Sequence, residues 1–256
     1  MSGNSNLSSA ALTNRLKGEA EQLDLPERLG RIRQEINGLI VFTTSFGIED
    51  QAITHAIFTA DLEIDVVTFD TGRLFPETVE VWVDTQYRYG RRIPGFVPDR
   101  EDIEKLIARD GLYGIRRSLE ARLACCVVRK VALLGRALAG ASAWITGLRA
   151  DQSPDRASTV YASVDRQYRV IKVNPLFDWT RDRVVAFVRN HRVPYNRLHD
   201  RGFLSIGCAP CTRAVAPGEP ERAGRWWWEQ QEKTECGLHA GHPAWRPKPL
   251  KFSAGS

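Results

Sequence analysis

Long apolar runs are missing from this chain of 256 residues. A membrane-spanning helix needs about 18 or more consecutive apolar residues, so the sequence predicts no transmembrane segment. The first residues also lack a basic region followed by an apolar core, and no secretory signal is expected. These absences favour a cytoplasmic protein with no membrane partner, in a compartment where thiols stay reduced.

The common nucleotide-binding and nucleic-acid-binding motifs are missing as well. The chain contains neither Gly-x-Gly-x-x-Gly nor Gly-Lys-Ser, which excludes the usual dinucleotide and ATP fingerprints. Its net charge of +5 is not concentrated in one basic tract, and no nucleic-acid-binding module occurs. A small anion carrying phosphate or sulfate is therefore the better candidate ligand, although ordinary surface charge would give the same composition.

Short apolar runs alternate with helical patterns over most of the sequence. The runs at 38–43, 64–69, 143–146 and 168–173 predict buried strands, and 96–97 predicts a weaker one. The helical patterns cover 50–60, 76–89, 100–108, 119–139 and 180–190. This alternation predicts an α/β fold in which a mostly parallel sheet has helices on both faces.

Three segments can be distinguished, although no linker divides the chain into separate domains. Residues 1–37 are expected to be a helical N-terminal segment, and 38–215 the α/β nucleotide-binding part. Beyond about residue 193 the strand–helix alternation ends and proline, glycine, arginine and tryptophan dominate. We expect 216–256 to form a C-terminal arm over the active site, within one domain overall.

Three loops follow predicted strands and are rich in small polar or basic residues. Ligands of open α/β sheets bind beyond the carboxyl ends of the strands, where glycine lets backbone N–H groups approach an anion. Simple turns would have the same composition. The candidate substrate-binding residues in these loops are Ser45, Phe46, Gly47, Asp70, Thr71, Gly72, Arg73, Gly147 and Arg149.

Only five cysteines occur, and four of them form two close pairs: Cys125 with Cys126, and Cys208 with Cys211. Four thiolates are the number that a closed zinc or iron–sulfur site needs. Adjacent cysteines are hard to aim at one zinc ion, but they can bind different irons of a cubane, which favours a [4Fe–4S] cluster. The alternative is that the cysteines are small buried apolar residues.

The helical pattern places two cations beside the first cysteine pair. Arg129 and Lys130 follow Cys125 and Cys126 by four residues and so share their helix faces. Cations there would offset thiolate charge, and Lys130 could also reach an anionic substrate. A solvated basic face is the alternative for Arg129.

The fifth cysteine, Cys236, stands alone with His239 three residues later. A thiolate is a nucleophile, and nearby cations lower its pKa. Upstream, Arg222 and Arg225 would share a face if 220–230 were helical, and arginine binds sulfate or phosphate oxygens bidentately. We therefore expect Cys236 to be a nucleophile that acts beside an anion site.

Taken together, these motifs resemble the assimilatory adenylyl-sulfate reductases. The resemblance covers about residues 38–240 and includes Glu235–His239, both cysteine pairs, Asp70–Thr78 and Ile145–Arg149. It implies an adenine nucleotide α-hydrolase-like fold and a [4Fe–4S] cluster on Cys125, Cys126, Cys208 and Cys211. The first loop lacks the Ser-Gly-Gly of ATP-pyrophosphatase relatives, which argues against ATP chemistry.

The resemblance also implies a mechanism. Cys236 would attack the sulfur of adenylyl sulfate, AMP would leave, and thioredoxin or glutaredoxin would release sulfite from the S-sulfocysteine. Residues implied at the substrate are Lys130, Arg156, Arg222 and Arg225, and His239 is implied as a catalytic residue beside Cys236. The alternatives are a reductase of the 3′-phosphorylated nucleotide, a dual-specificity enzyme, and a zinc-stabilised nucleotide-binding module without turnover; a homo-oligomer is a further candidate assembly.

Overall fold

A six-stranded sheet organises the computed structural model, which describes residues 11–18 and 20–229. The strand order is β3-β2-β1-β4-β6-β5, and every pairing is parallel except that of β5 with β6. The predicted mostly parallel α/β sheet is therefore confirmed. The strands are β1 (Leu39–Thr44), β2 (Asp65–Phe69), β3 (Gly95–Phe96), β4 (Ala141–Ile145), β5 (Ala162–Asp165) and β6 (Val170–Val173).

The helices alternate with the strands, as the sequence predicted. Polar side chains begin several of them: Asp24 forms a capping box on the first, and Ser118 and Thr180 each accept a backbone N–H of a later one. Residues 11–17 are also helical. The longer helices are α1 (Leu25–Glu35), α2 (Ile48–Thr59), α3 (Pro76–Tyr89), α4 (Arg100–Asp110), α5 (Leu119–Cys126), α6 (Ala132–Ala137) and α7 (Arg181–Asn190).

Both faces of the sheet are covered because β1 is apolar at consecutive positions. Ile40 and Phe42 belong to the larger buried cluster, together with residues of α1, α2 and α7. Val41 belongs to the smaller cluster on the other face, with Trp144 and Leu134. Successive side chains of a strand point to opposite faces, so this central strand is buried twice.

The N-terminal segment packs on the larger of these cores. Leu16, Leu29 and Ile32 belong to that buried cluster. Arg28 is fully buried and donates two hydrogen bonds to Asp178, at 2.5 and 2.8 Å. Helix α1 is thereby fixed to the connection between β6 and α7, while the division into three segments stays a prediction.

Three local expectations differ from the structure. Strand β5 was not predicted, because Ser163 and Asp165 interrupt its apolar character. The continuous helix expected over 119–139 is divided by a π-helical segment, Val127–Val131, between α5 and α6. Residues 220–224 form turns rather than a helix, and Arg225 pairs with Thr212 in an isolated bridge. Within the described ranges, no helix has the length and apolar character needed to cross a membrane.

Candidate active site

A cleft opens at the carboxyl ends of β1, β2 and β4, where ligands of open α/β sheets bind. The strand ends form one wall, and residues from 199 to 225 form the other. Eight of the predicted substrate-binding residues line it: Ser45, Gly47, Thr71, Lys130, Gly147, Arg156, Arg222 and Arg225.

The loop after β1 is fixed by a carboxylate in the first turn of α2. Asp50 accepts hydrogen bonds from the backbone N–H of Ser45 at 2.6 Å and from its hydroxyl at 2.7 Å. Burial raises the pKa of Asp50 to about 6, although those two hydrogen bonds oppose the shift. Phe46 does not line the cleft as predicted: it is buried, has a φ of 57°, and stacks on Trp82.

Two glycines of the cleft are required by close packing. A Cβ atom on Gly147 would lie 2.3 Å from Oδ1 of Asp50. A Cβ atom on Gly207 would lie 2.3 Å from Nη2 of Arg225. Any side chain at these positions would displace a charged group of the cleft wall.

Arg149 corrects a prediction, because it does not line the cleft and its side chain is completely buried. It forms ion pairs with Glu49 at 2.9 Å, with Asp151 at 2.8 Å and with Glu221 at 2.8 Å. Its charge is therefore used within the protein rather than offered to a substrate.

The carboxylates around Arg149 titrate differently. Burial alone would raise the pKa of Glu49, but the Arg149 guanidinium and further hydrogen bonds outweigh it and lower that pKa. Burial and the neighbouring Glu49 raise the pKa of Glu221. Because Arg149 pairs with both carboxylates, it fixes the start of α2 and the turn at Glu221 relative to each other. Both carboxylates also line the cleft.

The loop after β2 stands between the cleft and the cysteines. Thr71 lines the cleft, and its hydroxyl lies 3.4 Å from the sulfur of Cys208. Asp70 and Gly72 do not line the cleft; the Asp70 side chain accepts the Gly72 N–H at 2.8 Å, which closes the turn. Arg73 faces the cysteine side instead and donates to the Leu112 carbonyl at 2.5 Å. Direct substrate contact by Asp70, Gly72 and Arg73 is thus not supported.

A basic wall faces the strand ends. Arg222 and Arg225 are buried, and both donate toward the Ser205 hydroxyl, at 3.5 and 3.3 Å. The predicted helix is absent here, yet the turn still brings the two guanidinium groups to one place. Arg156 donates to the Gln152 side chain at 2.5 Å and lines the same cleft.

The four paired cysteines line one small pocket beside the cleft. Cys126, Cys208 and Cys211 are buried, Cys125 is partly buried, and all four thiols are free of disulfides. Ile115 and Trp226 complete its apolar lining, and its cations are Arg73, Arg122, Arg129, Lys130 and Arg225. Lys130, Cys208 and Arg225 line the cleft and this pocket alike.

The chemistry of this cysteine pocket fits an anionic, sulfur-rich group. Within the described part of the chain, Arg129 Nε, Arg225 Nε and Trp226 Nε1 are buried donors with no hydrogen-bond acceptor. Buried N–H groups are nearly always paired, so three such donors around four thiols suit additional acceptor atoms in the pocket. No three His, Cys, Asp or Glu side chains among the described residues converge on a position for a single metal ion.

Burial raises the pKa of two of these thiols. It raises the pKa of Cys125, although the Arg129 guanidinium opposes the shift. Burial and the adjacent Cys208 raise the pKa of Cys211 to about 11. A metal group bound here must therefore displace thiol protons.

The π-helical segment follows the Cys125–Cys126 pair directly. The Ala132 N–H bonds to the Val127 carbonyl, five residues back rather than four. Such widened turns are frequent at functional sites, and this one carries Arg129 and Lys130. Arg129 donates to the Thr71 carbonyl at 2.5 Å, which ties the segment to the loop after β2.

The structure adds cleft residues that the sequence analysis missed. Glu49 and Asp50 lie in the first turn of α2, directly after the predicted loop, and Glu221 adjoins Arg222. Acidic residues are not expected among groups that bind an anion, so their sequence positions gave no signal. Cys236 and His239, the predicted catalytic residues, lie outside the described residues.

Comparisons with known proteins agree with this geometry. Residues 39–214 match the family model of the phosphoadenosine phosphosulfate reductase domain. The adenosine 5′-phosphosulfate reductase of Agrobacterium fabrum is 52% identical, covering 93% of this chain and 90% of that protein. The protein of the same name from Allochromatium vinosum is 50% identical over 83% of each.

A solved structure shares the fold. The phosphoadenylyl-sulfate reductase of Candida auris, in a phosphate complex, superposes with a TM-score of 0.66 at 25% identity, covering 79% of this chain and 96% of that one. With the domain match and the relatives above, this places the chain in the phosphoadenosine phosphosulfate reductase family.

Proposed function

We propose that this protein reduces adenylyl sulfate to sulfite and AMP, as a step of sulfate assimilation. The observation that carries the proposal is the shared boundary of the two sites: Lys130, Cys208 and Arg225 line both the cleft and the cysteine pocket. A cysteine-rich site built against an anion-binding cleft is what a thiol-dependent sulfonucleotide reductase needs. The relatives named adenosine 5′-phosphosulfate reductase support the same substrate.

The cleft has two chemically different parts. Ser45, Gly47 and Gly147 at the strand ends offer small groups and backbone N–H donors to the nucleotide. Lys130, Arg222 and Arg225 supply cations for the phosphosulfate. This division would orient the substrate with its sulfate toward the cysteine pocket, and Arg156 would assist at the nucleotide end.

We further propose that Cys125, Cys126, Cys208 and Cys211 hold one [4Fe–4S] cluster. The three unpaired buried donors and the five surrounding cations support this assignment. A zinc ion needs its ligands around one centre, whereas the irons of a cluster are spread over a larger volume. When bound, the cluster supplies an electrostatic and structural contribution rather than a pair of electrons.

The chemistry begins at Cys236. Its thiolate attacks the sulfate sulfur; an S–S bond forms, the S–O bond to the phosphate breaks, and AMP leaves with the electron pair. Lys130, Arg222 and Arg225 stabilise the negative charge that gathers on the phosphosulfate oxygens. His239 lies close to Cys236 in sequence and is proposed to help hold it as a thiolate.

Turnover then needs a dithiol reductant. A thiolate of reduced thioredoxin, or of glutaredoxin, attacks the sulfur of Cys236, and sulfite leaves with the electron pair of the S–S bond. The second thiol of the reductant releases Cys236 and closes its own disulfide. The reaction thus consumes one reduced dithiol per sulfite and belongs to the reducing cytoplasm.

The test is sulfite release from adenylyl sulfate with reduced thioredoxin, by the wild type and by Cys236→Ser. The variant should lose activity but keep the brown colour and iron content of the cluster. Full activity in Cys236→Ser would refute the mechanism, and a colourless zinc protein without turnover would favour a nucleotide-binding module.

The 3′-phosphorylated nucleotide is assayed in parallel as the alternative substrate. Three carboxylates, Glu49, Asp50 and Glu221, already line the cleft. A 3′-phosphate close to these carboxylates would be repelled by their charge. The kcat/KM of the 3′-phosphorylated nucleotide should therefore be lower than that of adenylyl sulfate. An equal or higher value would make the protein a dual-specificity or 3′-phosphonucleotide reductase.

A further inference from the structure

A buried ion pair connects the helix of the first cysteine pair to the end of the described chain. Arg122 of α5 donates from Nε and Nη2 to the two carboxylate oxygens of Glu229, both at 2.8 Å. The two side chains are only 2% and 8% exposed. Two parallel charge-assisted hydrogen bonds fix orientation as well as distance, so this contact holds Glu229 in one place.

The same arginine lines the cysteine pocket and is connected to the cleft through Trp226. Its guanidinium carbon lies 4.5 Å from the Trp226 ring centroid, and that of Arg225 lies 4.7 Å from the same centroid. Arg122 also interacts electrostatically with Cys126. One tryptophan ring therefore joins the cleft cation Arg225, the cysteine pocket and the arginine that holds Glu229.

The residues between the two sites are themselves held in place. The backbone N–H of Trp226 donates to the Cys211 carbonyl at 3.1 Å. Trp226 also has a φ of 46°, which is uncommon for a residue other than glycine. The Glu229 N–H donates to the Trp226 carbonyl at 2.8 Å. The chain thus turns sharply at the cysteine pocket and is bound again at Glu229.

We propose that Arg122 and Glu229 are positioning residues for the reaction: they fix the start of the segment that leads to Cys236. This proposal rests on the function proposed above. Cys236 follows Glu229 by seven residues. A chain of that length reaches at most about 25 Å, so fixing Glu229 limits the distance over which Cys236 can act.

The expected effect comes chiefly from the fixed direction of the tether rather than from its length. Without the ion pair, the nearest residue held upstream is Trp228, which packs on the cysteine pocket eight residues before Cys236. Effective concentration falls roughly as the −3/2 power of tether length, so the change from seven to eight residues gives only about a 1.2-fold loss. Loss of the fixed starting direction adds to this, so we expect kcat to fall about two- to tenfold.

The experiment compares Glu229→Gln and Arg122→Met with wild-type holoenzyme. Asp178→Asn is the control, because Asp178 forms another doubly hydrogen-bonded pair, with the buried Arg28, away from the cysteine pocket. For each protein we would measure kcat, the KM for adenylyl sulfate, the iron and sulfide content, and the thermal midpoint.

A second readout does not depend on turnover. Nitroxide labels are placed on Cys236 and on an engineered cysteine, Val83→Cys, at an exposed position of α3. Double electron–electron resonance spectroscopy then gives the distribution of distances between the two labels. Glu229→Gln should broaden this distribution, and Asp178→Asn should not.

The proposal predicts a lower kcat at unchanged KM and cluster content in Glu229→Gln, with a broader distance distribution, and about the same loss in the double variant Arg122→Met/Glu229→Gln. Wild-type kcat, an unchanged distribution, or an equal kcat loss in Asp178→Asn would each overturn it. If the wild type released no sulfite, the proposed function would fail; broadening specific to Glu229→Gln would still support the positioning of the segment.

Discussion

The cleft and the cysteine pocket lie side by side and share three residues, yet their charge patterns differ. Three carboxylates accompany the cations of the cleft, whereas the described lining of the pocket has five cations and no carboxylate. The cleft can therefore bind neutral and polar groups as well as an anion. The cations of the pocket offset negative charge, which thiolates that bind a metal group would require.

The two sites also differ in their construction. The cleft is assembled from the ends of three strands and from a distant turn, which buried ion pairs of Arg149 hold together. The pocket comes chiefly from one interrupted helix and one Cys-x-x-Cys loop. Variants that affect one site and spare the other would show how far the two can be separated.

The largest expected effect is on the pocket alone. Cys211→Ser removes one of four thiols, so the protein should lose the visible absorption of the cluster and sulfite release should fall below detection. Absorption spectra, iron analysis and the sulfite assay measure this. Cys236→Ser is the control and should keep the absorption; an intact cluster in Cys211→Ser would contradict the ligand assignment.

The next effect is on the construction of the cleft. Arg149→Met leaves Glu49 and Glu221 without their nearest cation, and only Arg181 remains at 3.6 Å from Glu221, so the free energy of unfolding should fall by about 3 kcal/mol or more. Urea unfolding measures the loss. Arg213→Met breaks a solvent-screened surface pair with Glu219 and should cost far less. Similar values for both variants would contradict the structural role of Arg149.

The pH dependence of the free energy of unfolding tests the buried carboxyl group of Asp50. The folded-state pKa of Asp50, about 6, lies above the ordinary value of 3.8, so the wild type loses stability as the pH rises through 6. Asp50→Asn does not titrate. Its stability relative to the wild type should therefore increase between about pH 4 and pH 7.5, by roughly 2.5 kcal/mol.

Urea unfolding at both pH values measures that difference. Asp61→Asn, which changes an exposed carboxylate, is the control and should give a curve parallel to the wild type. A parallel curve for Asp50→Asn as well would mean that burial does not perturb this carboxyl group.

The smallest effect concerns a residue that the two sites share. Lys130→Met should lower kcat/KM for adenylyl sulfate about 10- to 100-fold, or 1.4–2.7 kcal/mol, because one cation is lost at the developing charge. Lys130→Arg should recover part of the lost kcat/KM. Lys105→Met, on the surface of α4, should leave kcat/KM unchanged. Unchanged activity with an altered cluster spectrum would assign Lys130 to the pocket alone.

Much of the sheet could be predicted because its strands are continuous apolar runs. β1, β2, β4 and β6 were recognised, and the predicted loops at three strand ends do reach the cleft through Ser45, Thr71 and Gly147. Short strands with polar residues, such as β5, give no such signal. The π-helical turn cannot be recognised from the sequence either, because its residues continue the helical pattern of their neighbours.

The site was harder to predict because charge in a sequence does not reveal its partner. Arg149 was predicted to bind substrate, but Glu49 and Glu221 from distant segments and the neighbouring Asp151 surround it. Arg222 and Arg225 were predicted from helical spacing, and a turn brings them together instead. Arg122 gave no signal, because its partner Glu229 lies 107 residues away.

Gly147 and Gly207 have a consequence for how this protein can vary. Neither has the positive φ that favours glycine, so backbone conformation alone would admit other residues. Yet even a methyl group would meet Asp50 at one position and Arg225 at the other. In a saturation mutagenesis screen selected for growth on sulfate, Gly147 should therefore tolerate no substitution, alanine included, whereas Gly207 should accept only residues that the flexible Arg225 side chain can make room for.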